Sequence, residues 1–389
     1  MSLQFITGNS GNGKTKYLFN RIVKEAKANP RDNYLVIVPE QFTMQTQRQL
    51  VDLSENKAIM NIDVLSFKRL AYRVFDELGI TNLTVLEETG KNLVLRKLAA
   101  QEADKLGVIG RNLNRIGYIS EVKSLLSELV QYNISPEELG RYIASGRLSD
   151  TLSDKLKDVL VLYEAFEKFM QDKYITAEEI LNVLSNVAEE SAILRNSVIA
   201  FDEFTGFTPI QNQLIKKLFV ISKKIYVTLT IDCREDIFKS RGMQELFDMP
   251  KRTVKSLTEM AAFYGIEVEE PIILDKNYRL AENEELSFME QQLFRKRRCS
   301  FKKVPKHIHI DCLRDPKQEL TKIARRINEL VRNENLRYRD IAIVTGDVNI
   351  YAGYVREIFD KYNIPYFIDA TQEILFHPFI EFIRSIPDI

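Results

Sequence analysis

The pattern of hydrophobic and polar positions near the N-terminus predicts alternating strands and helices. Short apolar runs at residues 3–7, 33–38 and 62–67 are strand candidates, and residues 15–28 carry apolar side chains at helical spacing. The second run is nearly continuous rather than alternating, which is typical of a strand that helices cover on both faces. The pattern therefore predicts an α/β fold with a doubly wound parallel sheet.

The pattern becomes purely helical between about residues 85 and 190. Apolar side chains recur every three or four positions, as along residues 152–170, and strand-like runs are missing. Strand signals resume at 197–201 and 225–231. We therefore expect a helical insertion that interrupts one α/β domain.

A basic, turn-prone stretch that includes Arg295–Arg298 predicts a linker near residue 300, with phosphate contact as the alternative for this run. Beyond it, apolar runs at 307–312, 341–344 and 364–368 are strand candidates, and residues 320–331 have helical spacing. These signals predict the beginning of a second α/β domain. The predicted domains are residues 1–84 with 191–300, the helical insertion at 85–190, and an incomplete second domain at 301–389.

Composition and charge narrow the class of protein. The 389 residues carry 55 Lys and Arg against 55 Asp and Glu, and this balance excludes a basic nucleic-acid-binding tail and an acidic disordered chain. The three cysteines are scattered without a Cys-x-x-Cys pair, which favours neither a disulfide framework nor a zinc site. No apolar run reaches the roughly 18 residues of a membrane span. We expect a cytoplasmic protein with no membrane association.

Residues Gly8–Thr15 match the phosphate-loop pattern G-x-x-x-x-G-K-[ST], between a predicted strand and a predicted helix. In this pattern the glycines let backbone N–H groups surround a phosphate at the helix N-terminus. Lys14 would reach the β- and γ-phosphates, and Thr15 would ligate Mg²⁺. An ordinary glycine-rich turn is the alternative. The predicted contacts to ATP or GTP are Gly8, Ser10, Gly11, Asn12, Gly13, Lys14 and Thr15.

Two carboxylates follow the apolar strand candidate that ends at Phe201. Asp202 would hold the Mg²⁺, directly or through water, and Glu203 would polarise the attacking water. The alternative is a solvated acidic pair at a strand end. Together with Lys14, these two residues form the predicted catalytic set, and Asp202 and Thr15 are the predicted metal ligands.

Three segments resemble superfamily 1A DNA helicases. Asp202–Gln211 is similar to their D-E-F-Q-x-x-x-x-x-Q segment, with Thr205 in place of the first glutamine. Lys276–Leu280 is similar to their N-Y-R motif, so the resemblance implies that Arg279 faces the nucleotide. Residues 337–344 resemble the start of their second motor domain. The resemblance implies a P-loop NTPase of the RecA-like type.

Residues 229–236 depart from these helicases. At this place the helicases carry a G-D-x-x-Q-S-I-Y segment, whose glutamine couples the γ-phosphate to the DNA-bound domain, and this sequence has no glutamine there. The missing glutamine argues against translocation by this region more than it argues against nucleotide binding.

Within that superfamily the chain resembles the B subunits of AddAB-type helicase–nucleases (AddB) along essentially its whole length. The matching pieces are residues 8–15, 38–43, 65–73, 207–209 and 376–378. Such subunits are much longer, and their nuclease domain and 4Fe–4S cluster lie further towards the C-terminus. The resemblance implies an ATP-binding N-terminal region that acts with an AddA-type partner on duplex ends. It also implies that this region scans single-stranded DNA for the Chi signal during double-strand-break repair.

The residues best suited to unpaired DNA follow predicted strands, at the edge where open α/β sheets bind ligands. Aromatic rings beside an arginine suit unpaired bases. The predicted DNA contacts are Gln41, Thr43, Phe67, Arg69, Tyr72 and Phe207. The alternative places the rings of Phe67 and Tyr72 in the core and leaves Arg69 as a surface cation.

Two rival functions remain open beside this one. The first is an autonomous superfamily 1 DNA translocase, and the second is a P-loop kinase that acts on a small substrate.

His307 and His309 share one face of a predicted strand, but no third metal ligand lies near them in the sequence.

Overall fold

The structure is a computed structural model, and it divides the chain into two compact units, Met1–Cys299 and Ser300–Ile389. It describes residues 1–81, 84–108, 117–146, 148–170, 174–295, 299–369 and 377–386. Phe376 and the basic residues 296–298, which the sequence analysis singled out, lie outside these ranges.

A seven-stranded sheet forms the centre of the first unit. Its order is β3-β2-β6-β7-β1-β8, with β9 also paired to β1, and every pairing is parallel. Two short strands, β4 and β5, pair separately. The strands are β1 (Ser2–Gly8), β2 (Tyr34–Ile37), β3 (Ile62–Leu65), β4 (Val85–Leu86), β5 (Ile175–Thr176), β6 (Val198–Phe201), β7 (Lys224–Thr230), β8 (Glu267–Val268) and β9 (Ile272–Leu274).

Helices cover both faces of this sheet, which confirms the doubly wound α/β prediction. Successive side chains of a strand point to opposite faces. In β2, Leu35 and Ile37 therefore join a core with α3, α8, α9 and α10, whereas Tyr34 and Val36 join a core with α1 and α2. The helices are α1 (Lys14–Ala28), α2 (Thr43–Leu53), α3 (Phe67–Leu78), α8 (Ile180–Val187), α9 (Pro209–Ile221) and α10 (Asp248–Phe263), and α11 (Glu284–Gln292) follows them.

Four helices between β4 and β5 bury a separate hydrophobic core. This core includes Leu95, Leu126, Leu162 and Phe166, and the sheet contributes nothing to it. By contrast, α8 lies within the segment predicted as the insertion but packs in the core of the sheet. The four helices are α4 (Glu88–Gln101), α5 (Tyr118–Gln131), α6 (Pro136–Ala144) and α7 (Asp150–Met170).

The second unit consists of helices in the part that the structure describes. Its helices are α12 (Pro316–Asn333), α13 (Val348–Lys361) and α14 (Pro378–Ser385), and the predicted helix at 320–331 falls within α12. The strand predictions at 307–312, 341–344 and 364–368 are wrong, because none of these segments is paired into a sheet. A strand satisfies its backbone N–H and C=O groups against neighbouring strands. In the described part of this unit the packed core is formed mainly by α12 and α13, and no strand lies beside these segments.

None of the described helices is both long and apolar enough to cross a membrane.

Candidate nucleotide site and the neighbouring loops

The phosphate-loop segment forms a tight turn between β1 and α1. Gly13 caps α1 in the left-handed region, with φ of 80°. A Cβ at Gly8 would lie 2.5 Å from the carbonyl oxygen of Leu274. At Gly11 a Cβ would lie 2.7 Å from the Asn277 Oδ1 atom, and φ there is 90°. These contacts explain why glycine is required at Gly8 and Gly11.

Lys14 points back across the loop. Its Nζ atom donates to the backbone oxygens of Gly8 and Asn9, at 3.1 and 3.0 Å. Burial lowers the pKa of Lys14, and the nearby carboxylates of Glu203 and Asp202 partly offset this effect. A partly buried ammonium group held against the loop suits contact with a bound phosphate.

The acidic pair lies directly opposite the start of α1. The Thr15 hydroxyl lies 3.3 Å from both the Asp202 Oδ1 atom and the Glu203 Oε1 atom. The Thr228 hydroxyl donates to Asp202 as well. Sequence reasoning did not find Thr228, which sits in the middle of an apolar strand pattern in β7.

Asp202 has the chemistry of a divalent-cation ligand. Its side chain is only 1% exposed, and its Oδ2 atom is buried with no hydrogen-bond partner among the described residues. Burial raises the pKa of Asp202, although hydrogen bonds from Thr228 and Thr15 act in the opposite direction. A buried carboxylate oxygen beside a threonine hydroxyl is the hard-oxygen environment that Mg²⁺ takes. The residues therefore fit the ion.

Glu203 adopts an unusual backbone conformation. Its φ is 64°, in the left-handed region that few residues other than glycine occupy. Non-glycine residues in this region cost about 1–3 kcal/mol each and cluster at functional sites. With this backbone conformation the exposed Glu203 side chain points towards Thr15, while the neighbouring Asp202 stays buried.

The Lys276–Leu280 segment braces the phosphate loop from one side. Asn277 Nδ2 donates to the Ser10 backbone oxygen at 2.9 Å, and the Tyr278 N–H donates to the Gly11 oxygen at 3.0 Å. Arg279 Nη1 donates to the Ser10 hydroxyl at 3.3 Å. The structure thus brings the predicted Arg279 to the loop. It also adds two residues, Asn277 and Tyr278, that sequence reasoning placed in the motif but not in the site.

A carboxylate clamped by two arginines supports the other side of the loop. Asp232 lies just beyond β7, where superfamily 1A helicases carry their glutamine segment, and it accepts hydrogen bonds from Arg234 and Arg295. Burial would raise the pKa of Asp232, but the Arg234 hydrogen bonds and the two positive charges bring it down to about 2. The adjacent Cys233 N–H donates to the Asn9 Oδ1 atom at 3.0 Å, and Asn9 also donates to Glu290 at 2.6 Å.

These elements enclose a cavity of about 790 Å³. Its walls come from the phosphate loop, the acidic pair with Phe204 and Thr205, and the segment that contains Arg279. Its far end lies between α1 and α2, lined by Lys16, Phe19, Gln49, Asp52 and Leu53. The volume falls in the range of about 300–1,000 Å³ that is usual for small-molecule sites.

The predicted DNA contacts lie at the same edge of the sheet, on loops and at the beginnings of α2 and α3. Gln41 is exposed after β2, and Arg69 on α3 is half-exposed, with Nε 2.9 Å from the Glu40 Oε1 atom. Tyr72 on α3 is also partly exposed. Thr43, in contrast, is buried, and its hydroxyl donates to the Glu40 backbone oxygen at 3.0 Å. Its side chain is therefore committed to the start of α2.

Phe67 lies in the core rather than on the surface. Only 7% of its side chain is exposed, and its ring lies 5.8, 5.5 and 6.3 Å from the rings of Phe201, Phe204 and Phe207. This placement favours the core alternative for Phe67 and removes its ring from direct stacking on a base. Phe207 remains half-buried at the margin of this aromatic cluster.

The parallel sheet with its phosphate loop defines a P-loop NTPase fold of the RecA-like type, in which β7 separates the phosphate-loop strand β1 from the acidic strand β6. The family model described as "ADDB, N-terminal" matches residues 5–290. The chain belongs to this AddB family.

Curated relatives agree over the whole chain. The sequence is 38% identical over 394 residues to the B subunit of the ATP-dependent helicase/deoxyribonuclease of Lachnoclostridium phytofermentans, an alignment that covers 100% of this chain and 34% of the relative. Proteins of the same name from Clostridioides difficile and Clostridium tetani are 34% and 33% identical, and each alignment covers 99% of this chain and 34% of the relative. The chain thus spans about a third of the length of these relatives.

Proposed function

We propose that this chain binds ATP with Mg²⁺ at the phosphate-loop cavity and binds single-stranded DNA on the neighbouring loops. In this proposal it is the N-terminal region of an AddB-type subunit, in a helicase–nuclease that processes broken DNA ends for recombination and reads Chi. The nucleotide part rests mainly on one observation: the Thr15 hydroxyl contacts the Asp202 carboxylate, whose buried Oδ2 atom has no hydrogen-bond partner in the part of the chain that the structure describes.

Each residue of the site has a distinct role in this proposal. Lys14 and the loop N–H groups bind the β- and γ-phosphates, and Arg279 adds a second positive charge. Mg²⁺, held by Thr15 and Asp202, would neutralise phosphate charge. Glu203 would orient and deprotonate a water molecule in line with the γ-phosphate.

Single-stranded DNA binding rests on the segments that follow β2, β3 and β6, including the beginning of α3. Gln41, Arg69 and Tyr72 expose an amide, a guanidinium and a ring, and Phe207 lies at the next loop. Rings and arginines of this kind hold unpaired bases and phosphates. Because β2, β3 and β6 are adjacent in a parallel sheet, their carboxyl ends share one edge.

The proposed complex includes an AddA-type partner that supplies the motor. Two observations support a division of labour of this kind. The names of the curated relatives describe one subunit of a larger enzyme, and Asp232, locked by two arginines, stands where autonomous helicases carry their glutamine segment.

A fluorescent ATP analogue tests the nucleotide part. We expect the 389-residue chain to bind mant-ATP in Mg²⁺, and Lys14→Ala to weaken binding at least tenfold because it removes the ammonium group at the phosphate loop. Lys24→Ala is the matched control, since Lys24 is an exposed lysine on the same helix. Equal affinities for the wild-type and Lys14→Ala chains would refute the site.

A second candidate, an autonomous DNA-stimulated ATPase, is favoured by one observation. Glu203 lines the cavity beside Thr15 with an exposed carboxylate, which is a type of group that activates water molecules. Phosphate release by the isolated chain, measured with and without single-stranded DNA, separates the two candidates, because the first predicts nucleotide binding without DNA-stimulated turnover when the AddA-type partner is absent. A DNA-stimulated turnover that Glu203→Gln abolishes would support the second candidate.

A further inference from the structure

A second cavity, of about 400 Å³, lies beside the loop that joins β6 to α9. Three elements form it: the end of α5 in the helical insertion, the loop itself with the first turn of α9, and one face of α10. It is lined by Tyr132, residues 205–209, Asn212, Met249, Arg252, Thr253 and Ser256.

The loop and α10 pack closely against each other in the wall of this cavity. A Cβ at Gly206 would lie 3.2 Å from the Thr253 hydroxyl oxygen, so glycine lets the loop approach α10 closely. The Thr253 hydroxyl lies 3.1 Å from the Thr205 backbone oxygen and ties the loop to the helix. The α10 residues on the wall recur at positions 249, 252, 253 and 256, which is a single helix face. The loop and α10 therefore form one closely packed wall of the cavity.

The lining combines exposed apolar surface with one cation. Tyr132 is 60% exposed and Met249 is 62% exposed, so both offer apolar surface to a ligand. Arg252 also lines the cavity, and its Nε atom lies 2.7 Å from the Asp248 Oδ2 atom in an ion pair. The guanidinium carries five N–H donors, more than this ion pair occupies. Phe207 extends the cavity towards the aromatic cluster of the β6–α9 loop.

We propose that this cavity binds one unpaired nucleotide of a DNA strand, with its base against Tyr132 and Met249 and its phosphate on Arg252. The inference rests on the proposed single-stranded DNA binding and deepens it, because it adds a subsite beyond Phe207. The volume is within the range of sites that hold one small molecule. An aromatic ring next to an arginine accepts any base, because every base has a flat face to stack.

Two substitutions test the subsite with a fluorescein-labelled oligothymidylate at low salt, read by fluorescence anisotropy. We expect Tyr132→Ala and Arg252→Ala each to weaken binding about tenfold, since stacking and a phosphate contact are of this order. Tyr132→Phe should keep most of the affinity, because the ring remains. Both residues are exposed, so circular dichroism should show unchanged folding.

Matched controls come from the same elements. Tyr142 is a 53% exposed tyrosine of the helical insertion that does not line the cavity, and Lys255 is a 69% exposed cation on α10. Tyr142→Ala and Lys255→Ala should bind within twofold of the wild-type chain. If Tyr132→Ala and Arg252→Ala also bind within twofold, the subsite is overturned and the proposed function stands. If the wild-type chain does not bind the oligonucleotide at all, the DNA part of the proposed function fails.

Discussion

The Thr15 hydroxyl lies 3.3 Å from the Asp202 carboxylate, although 187 positions separate the two residues in the chain. The helical insertion accounts for much of that separation, because it leaves the sheet after α3 and returns before β6. The phosphate loop and the acidic strand end belong to one site only because β1, β7 and β6 are neighbours in the sheet. The site therefore depends on the order of the strands in the sheet as well as on the phosphate-loop motif.

The raised pKa of Asp202 predicts how the stability of the metal-free protein depends on pH. A carboxyl group whose pKa is higher in the folded than in the unfolded state favours folding when protonated, so its ionisation destabilises the fold as pH rises. Asp202→Asn keeps an acceptor for Thr15 and Thr228 without the charge. We expect its melting temperature in EDTA to exceed that of the wild-type chain by a few degrees near pH 8.

Two observations complete this test. The difference in melting temperature should shrink as pH falls towards 4, because Asp202 then takes up a proton in the folded state. Addition of Mg²⁺ with ATP should stabilise the wild-type chain more than Asp202→Asn. A variant that melts well below the wild-type chain in EDTA at pH 8 would contradict a destabilising buried carboxylate.

Gly11→Ala should abolish nucleotide binding through steric conflict. The new Cβ would lie 2.7 Å from Asn277 Oδ1 and 2.8 Å from the Arg279 Cβ, so the brace on the phosphate loop has to move. Gly79→Ala is the matched control, because Gly79 also has a positive φ, of 69°, but a Cβ there meets nothing within 4 Å. Both variants should lose about 1–2 kcal/mol of folding free energy from backbone strain. Only Gly11→Ala should lose mant-ATP affinity, and equal affinities of the two variants would count against the brace.

Substitutions at Phe67 and Arg69 should affect different properties of the protein. The first should lower its stability, and the second should lower its affinity for DNA. Phe67→Ala removes a buried ring and should cost about 3–5 kcal/mol in the free energy of unfolding, measured with urea. Arg69→Ala should leave stability within about 0.5 kcal/mol, because surface substitutions rarely cost more. Its affinity for single-stranded DNA should fall several-fold.

The control for Arg69 is Arg195→Ala, since Arg195 is an exposed arginine just before β6, at the opposite edge of the sheet. This variant should bind the same oligonucleotide as tightly as the wild-type chain. An equal loss of affinity in the two arginine variants would indicate a general charge effect instead of a local DNA contact.

The ionised carboxylate of Asp232 should stabilise the fold, whereas that of Asp202 should destabilise it. The pKa of Asp232 is held at about 2, so its contribution is fully present above the ordinary Asp value and is lost as pH falls from about 4 towards 2. Asp232→Asn should therefore unfold at lower urea concentration than the wild-type chain at pH 7. The gap between the two chains should narrow below pH 4, and a gap that is constant from pH 7 to pH 3 would rule out the ion-pair explanation.

Local patterns predicted the sheet and the motif residues, because a buried parallel strand and a phosphate loop each leave a contiguous signal. The contacts of Asn277, Tyr278 and Asn9 could not be predicted in this way, since each is a side-chain or backbone bond between distant loops. Spacing left Phe67 ambiguous, because a residue at the first position of a helix can face the core or the solvent. Its burial depends on Phe201 and Phe207, which follow the insertion.

The strand predictions beyond residue 300 failed for a related reason. An apolar run such as 341–344 shows that a segment suits a sheet, but a strand forms only when neighbours supply hydrogen bonds. In the described part of this unit, Val344 is 92% exposed, and the buried side chains belong mainly to α12 and α13.

Titration of the wild-type chain with mant-ATP, in Mg²⁺ and in EDTA, tests whether the phosphate-loop cavity binds ATP together with Mg²⁺. The geometry of Thr15, Asp202 and Lys14 predicts one saturable site whose affinity is about tenfold higher in Mg²⁺, because the ion offsets phosphate charge beside two carboxylates. If binding does not saturate, or if the affinity is the same in Mg²⁺ and in EDTA, the cavity is not a site for ATP with Mg²⁺.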